Sequence, residues 1–319
     1  MPLIAVQELT THYSTQRGPV HAVENISFSL EEGEAMGLAG ESGCGKTTAA
    51  LSLLRILPFN GSILHGKILF KGQDLVTMSE NDLRSQIRWK GISLIFQGAM
   101  NALNPVYRVE DQIIEAIKVH EPRVKKKEAR KRVAQLFELV GLNPSRASNY
   151  PHEFSGGMRQ RAMIAMALAC NPSVLIADEP GTALDVIVQA QVLKLMSELR
   201  KRLNLAIVMI SHDLSIISET CDKLAIMYAG KIVELGDIYS MFKEPLHPYT
   251  QGLIDAFPNI KEQRRKMYSI PGSPPNLLNP PTGCRFHPRC KYAMDICRKE
   301  EPQVKDMGKG HYVACFLHN

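Results

Sequence analysis

The octapeptide Gly40-Glu41-Ser42-Gly43-Cys44-Gly45-Lys46-Thr47 constrains this chain more than any other stretch. It fits G-x-x-x-x-G-K-[ST], follows the apolar run AMGLA, and leads into a segment where Ala50, Leu53, Leu54 and Leu57 recur at helical spacing up to Pro58. A glycine-rich loop between a strand and a helix wraps phosphate in backbone amides. Here Gly40, Gly43 and Gly45 allow close approach, Lys46 reaches the terminal phosphate oxygens, and Thr47 offers its hydroxyl to a magnesium ion. Glu41, Ser42, Cys44 and Thr48 complete the cradle. A thiol at a helix N-terminus beside a lysine is expected to have a lowered pKa, and Cys44 stands in that position.

A second part of the same chemistry follows downstream. VLIADEP reads as a strand buried on both faces and ending in Asp178-Glu179, where Asp178 can hold magnesium and Glu179 can polarise an attacking water. Val192, Leu195, Met196, Leu199 and Leu203 then mark a helix, and LAIVMISHD another buried strand. Strand, helix, strand implies a parallel sheet with helices on its faces. Upstream, Ser155 can cap a helix opened by Gly156 and Gly157, which makes a second anion site at a helix N-terminus. One chain needs one phosphate cradle, so the second suits the nucleotide of a neighbouring subunit.

The remaining pattern places these parts. LIAVQEL and AVENISFSL read as N-terminal strands, KILF and ISLIF as later ones, and residues 109–171 as helical. Lys125, Lys126, Lys127, Arg130, Lys131 and Arg132 oppose the apolar stripe Val133, Leu136, Phe137 and Val140, as a solvated helix face does. Of 38 Lys plus Arg and 32 Asp plus Glu, 11 and 5 fall in residues 261–319, leaving 27 of each before them. That balance argues against a nucleic-acid partner. The opening MPLIAVQELTTHYSTQRG lacks a basic start followed by a long apolar stretch, so the chain is expected to stay in the cytosol. Its longest apolar run, Ala162 to Cys170, is far below the roughly 20 residues that span a bilayer.

After a proline-rich connector, IPGSPPNLLNPPTG, come Cys284, Cys290, Cys297 and Cys315. A reducing compartment disfavours a disulfide framework. Such a segment has little apolar content, and a metal staple is physically reasonable. Four thiolates suit a [4Fe-4S] cluster; zinc remains an alternative, although its usual short C-x2-4-C hairpin is missing, and so do free thiols. His287, His311 and His318 lie near enough to compete as ligands, and Arg285, Arg289, Lys291 and Arg298 adjoin the cysteines as if to offset an anionic cluster. Cys170 and Cys221, on apolar faces, read as core.

Taken in order, these motifs resemble the ATP-binding subunits of ABC transporters over residues 3 to about 260. The resemblance implies that Tyr13 stacks on adenine, that Gln97 is the glutamine of the Q-loop and touches magnesium, and that Ser155 to Gln160 form the signature. Ala183-Leu184-Asp185 would be the D-loop and His212 the switch histidine. EFSGGMRQR, PLHPYTQGL, IPGSPP and the cysteine tail resemble the oligopeptide and dipeptide branch, whose members associate such cysteines with a [4Fe-4S] cluster. Gly181, where the branch commonly has Thr, and Cys44, where a small hydroxyl is usual, depart from it. The fold implied is α/β, a P-loop NTPase core with a parallel sheet, N-terminal antiparallel strands, a helical subdomain at about 98–171 and a small irregular extension. The domains would be 1–260 and 261–319. The implied function is ATP hydrolysis at the cytoplasmic face of the membrane. A second, homologous ATPase subunit (a heterodimer), two transmembrane permease subunits and an external solute-binding protein are the implied partners. Peptides are the implied solute, with oligosaccharides or nickel as alternatives within the class and a soluble ATPase acting on nucleic acid or ribosomes outside it.

Overall fold

A computed structural model describes residues 1–98, 102–182, 184–256 and 270–318. Ala183 of the expected D-loop and the expected boundary at 260 lie outside the described residues. The elements are β1 (Ile4–Thr15), β2 (Gly18–Leu30), β3 (Ala35–Ala39), α1 (Lys46–Leu53), β4 (Gly61–Phe70), β5 (Gln73–Asp74), α2 (Glu80–Asp82), β6 (Ile92–Ile95), α3 (Val109–His120), α4 (Lys126–Leu139), α5 (Gly156–Ala167) and β7 (Val174–Asp178). They continue with α6 (Val186–Leu203), β8 (Ala206–Ser211), α7 (Leu214–Thr220), β9 (Lys223–Tyr228), β10 (Lys231–Asp237), α8 (Ile238–Lys243), α9 (Pro248–Asp255), α10 (Asp295–Lys299), β11 (Lys305–Asp306) and β12 (Tyr312–Val313). The chain forms two compact units, one of residues 1–2, 30–35 and 77–210, the other of 3–29, 36–76 and 211–319.

In the first unit β6, β7 and β8 run parallel, Ile92 opposite Val174 and Val174 opposite Ala206. Every residue of β7 and β8 is buried, as their unbroken apolar runs require of strands covered on both faces. Helices α3, α4 and α5 form the expected helical segment, where the Phe137 ring meets Phe154 edge-on at 6.4 Å. Most of the basic run is exposed. Arg132 is the exception, donating to Glu121 at 2.6 and 2.9 Å and to the Ala169 carbonyl at 3.1 Å.

In the second unit β1 pairs antiparallel with β4, and β4 with β5. β3 runs parallel to β9, whereas β9, β10, β12 and β11 pair antiparallel. The expected irregular extension therefore contributes two short strands: too short to build a core of its own, it adds to β10 and packs Phe286 against Tyr228 and Tyr249, with ring centroids 5.1 and 5.4 Å apart. The helix expected to run to Pro58 stops at Leu53, because Arg55 turns left-handed (φ 49°) and the Ile56 N–H donates to the Leu51 carbonyl at 3.0 Å. That six-to-one bond is a Schellman stop.

Candidate nucleotide-binding site

The phosphate loop begins where β3 leaves the core. Its three glycines all have positive φ, 148° at Gly40, 77° at Gly43 and 108° at Gly45. A Cβ at Gly40 would lie 2.1 Å from the Met227 carbonyl oxygen, and one at Gly45 2.2 Å from that of Ala22. Two strands thus approach the loop too closely for any side chain at either position. The Cys44 carbonyl accepts from the Gly230 N–H at 2.8 Å, which pins the loop to the turn between β9 and β10.

Helix α1 starts at Lys46 with Gly45 as N-cap, no side-chain cap and no acidic residue in its first turn. Its amide dipoles therefore favour an anion at this end. The Lys46 ammonium is buried and donates to the Gly40 and Glu41 carbonyls at 2.8 and 3.0 Å. Thr48 is buried, and its hydroxyl accepts from Tyr13 Oη at 3.2 Å, which carries the expected adenine aromatic to the back of the same helix. Thr47 follows Lys46 in the first turn, Ser42 is exposed at the crest, and His212 is exposed just beyond β8.

Cys44 departs from expectation. Its thiol is 4% exposed, and burial pushes its pKa up despite Lys46, whose nitrogen lies 3.7 Å from the sulfur. Desolvation of a thiolate outweighs one nearby cation here, so the expected low-pKa thiol is not present.

The expected acidic pair belongs to the first unit, where Asp178 ends β7 and Glu179 follows it. Asp178 is buried, and Glu179 takes a left-handed backbone (φ 49°), a costly conformation for a residue with a Cβ. Its main-chain N–H donates to the Ile210 carbonyl at 2.9 Å, and its carboxylate oxygen Oε2 accepts from Gln97 Nε2 at 2.9 Å and Thr182 Oγ1 at 3.0 Å. The structure thus brings Gln97 and Glu179 together and adds Thr182, whose position three residues past the acidic pair gave no separate sign of this contact. Ser155 caps α5 by accepting from the Met158 N–H at 3.3 Å, and Asp185 caps α6 by accepting from the Val188 N–H at 2.9 Å. Gly156 opens α5, and a Cβ at Gly157 would meet Val188 at 2.5 Å. At Gly181 the nearest group to an added Cβ is the Gln189 side chain at 2.6 Å.

In the extension, Cys284 and Cys290 are partly exposed while Cys297 and Cys315 are buried, all as free thiols. Burial raises the Cys284 thiol to about 11, and the other three thiols act on it in the same direction. The four sulfurs therefore share one locality. Among the described residues, the His, Cys, Asp or Glu ligand atoms that gather in threes within 4.8 Å are those of His12, His21 and Glu24, not the thiols. Zinc, with Zn–S near 2.3 Å, would draw its thiolates to roughly 3.8 Å from one another. A four-iron cube spreads them farther, since each binds a different iron. The competing histidines each engage a ring nitrogen elsewhere: His287 with the Cys284 carbonyl at 2.9 Å, His311 with Glu234 at 2.8 Å and His318 with the Leu246 carbonyl at 3.0 Å. Arg285 and Arg289, expected to offset a cluster, turn instead to Glu24 and the Ala229 carbonyl, and to Glu41. Acidic partners draw them more strongly than protonated thiols can. Cys170 and Cys221 are buried core residues, as their apolar faces imply.

Residues 23–182 match the family model described as ABC transporter, and residues 233–297 that described as the C-terminal region of oligopeptide/dipeptide transporters. The chain is 43% identical over 318 residues to the dipeptide transport ATP-binding protein DppD of Caldanaerobacter subterraneus, covering 99% of this chain and 97% of that one. It is 45% identical over 316 residues to the oligopeptide transport ATP-binding protein OppD of Escherichia coli, covering 98% and 93%. Among solved structures it resembles an ATP-binding cassette bound to ADP and phosphate, with TM-score 0.65 at 23% identity over 74% of this chain and 98% of that one. Another, cbiO1 of Clostridium perfringens, part of the ABC transporter complex cbiONQ, gives TM-score 0.65 at 28% identity over 76% of this chain and 91% of that one.

Proposed function

Because the chain belongs to the ABC transporter ATPases, in their oligopeptide and dipeptide branch, we propose that it is the ATP-hydrolysing subunit of an importer of di- or oligopeptides. The observation that carries the reading is a phosphate loop with two sterically obligatory glycines and an uncapped helix start, in a chain similar along nearly its full length to peptide-transport ATPases.

In this reading the loop amides of Gly40 to Thr47 hold the phosphates and Lys46 exchanges its carbonyl contacts for phosphate oxygens. Thr47, Gln97 and Asp178 are the residues that would hold magnesium, which supplies charge neutralisation at those oxygens. Glu179 orients water and accepts its proton, with Gln97 and Thr182 fixing the carboxylate and His212 serving the terminal phosphate. The capped start of α5, Ser155 to Gly157, serves the nucleotide held by a second ATPase subunit, and Asp185 orders the turn that faces it. Closure of the pair is passed to transmembrane permease subunits through the loop after Gln97. Among the described residues no helix is long and apolar enough to cross a membrane, in keeping with a subunit attached at the cytoplasmic face to partners that do. Residues 1–260 form the ATPase domain and 261–319 the extension.

Cys284, Cys290, Cys297 and Cys315 would hold a [4Fe-4S] cluster in this reading, supported by four free thiols in the folded extension, where the Cys284 N–H donates to the Cys297 carbonyl at 2.8 Å. Such a cluster would cross-link four points of the extension and would supply a redox-active centre. Iron and sulfide content with visible absorption of the anaerobically purified chain tests it; a colourless, ordered extension containing zinc contradicts it. The solute is tested in proteoliposomes carrying the assembled transporter and its external binding protein. ATP-dependent uptake of labelled dipeptide supports the reading, and uptake of nickel or an oligosaccharide without peptide overturns it.

A further inference from the structure

Glu41, the second residue of the phosphate loop, is gripped by the cysteine-bearing extension. Arg289 meets its carboxylate with two prongs, Nη1 donating to Oε2 at 2.5 Å and Nη2 to Oε1 at 3.0 Å. The guanidinium is itself fixed: its Nε donates to the Pro271 carbonyl at 2.8 Å, and it lies 5.8 Å from the Tyr228 ring centroid. Its side chain is 6% exposed, against 28% for Glu41. The main chain of Glu41 is held separately, its N–H donating to Tyr249 Oη at 2.9 Å, and Tyr249 packs on Tyr228 at 4.6 Å. Residue 41 is thus fixed at both its backbone and its side chain by groups from beyond position 227.

This arrangement meets an electrostatic difficulty. A loop that must admit several phosphate charges carries a carboxylate, and like charges at contact range repel. A planar, bidentate guanidinium cancels that charge and fixes its direction better than a flexible ammonium does. The pair also joins residues 248 apart in sequence, so the extension and the loop cannot shift independently.

We propose that Arg289 is a positioning residue for ATP: acting through Glu41, it neutralises and shapes the phosphate loop, and so makes the cysteine-bearing extension part of the nucleotide site. The proposal rests on Gly40 to Thr47 being the ATP loop and not on a metal at the cysteines. Steady-state ATPase of the assembled transporter and nucleotide affinity of the full chain are measured for Arg289→Gln, Arg289→Lys, Glu41→Gln and the double variant Glu41→Gln/Arg289→Gln. Thermal unfolding is followed in parallel. The expected result for Arg289→Gln is a KM for ATP raised about three- to tenfold, more than kcat falls, with Arg289→Lys recovering part of the loss. The double variant is expected to be no worse than the poorer single one, because the residues act as a unit. An unchanged KM for ATP in variants that unfold at lower temperature overturns the proposal by leaving Arg289 only a stabilising role. Effects that multiply in the double variant overturn it as well. A Lys46→Ala chain with undiminished ATP affinity removes the ATP loop itself, and the proposal with it.

Discussion

Cys44 sits inside the phosphate loop between two glycines, yet its sulfur faces protein, not solvent. Burial raises its pKa, so at neutral pH the group is a protonated thiol and offers little nucleophile. Iodoacetamide at pH 7.5 should therefore label Cys44 at least tenfold more slowly in the native chain than after unfolding, as read by mass spectrometry of the loop peptide. Native labelling as fast as unfolded, with ATP protecting, would contradict the buried placement. The residue also shows where sequence stops informing. Lys46 and the helix start beside Cys44 are visible as neighbours in the chain. What is not visible is the approach of the Met227 carbonyl from β9, because nothing in the loop specifies which strand will lie next to it. Glu41 is the same case: its partner Arg289 stands beside Cys290 and reads as a companion of the cysteines until the fold is known.

At the scale of the element, α5 joins stability to chemistry. Ser155→Ala removes a cap worth about 1 kcal/mol, a loss that lowers the unfolding temperature by a few degrees and by itself leaves most of the chain folded at working temperature. If the amides at this helix start also serve a partner's nucleotide, ATPase of the assembled transporter falls by an order of magnitude or more while the chain stays folded. A fall no larger than the stability loss explains would leave Ser155 as a cap only. Helix α9 carries a pH-dependent cap. His247 is 1% exposed, its Nδ1 accepts from the Tyr249 N–H at 3.0 Å, and burial first, then the charge of His318, lowers its pKa to about 4, with Glu234 opposing. The folded state therefore holds neutral imidazole where the unfolded chain, with pKa near 6.5, binds a proton. Stability from this group is present above about pH 6.5 and is lost progressively as pH falls towards 4. His247→Asn keeps an acceptor without titrating, so its unfolding temperature should fall less than the wild type's between pH 7 and 5. Parallel curves would contradict the neutral buried histidine. Strands β3, β7 and β8 and the cap of α5 were legible because their signals are local: buried runs, and a serine before two glycines. The early stop of α1 was not, since the left-handed turn at Arg55 carries no glycine to mark it.

For the molecule as a whole, the excess of basic residues in the last segment has a structural account that composition does not supply. Two of those cations are ion partners of carboxylates in the N-terminal strands and the phosphate loop, at Glu24 and Glu41. The extension is accordingly an integral part of the second unit, its β12 paired with β10 and its Phe286 in the aromatic cluster with Tyr228 and Tyr249. The order of motifs along the chain revealed the family and hence the fold; it could not reveal which long-range pairs hold the extension down. If Glu179 is the carboxylate through which ATP hydrolysis powers transport, Glu179→Gln in the reconstituted transporter stops turnover without removing the ATP site. The variant should bind ATP with affinity close to wild type while its peptide-stimulated hydrolysis falls at least a hundredfold, with ATP retained on the closed pair. Hydrolysis near the wild-type rate would contradict that role.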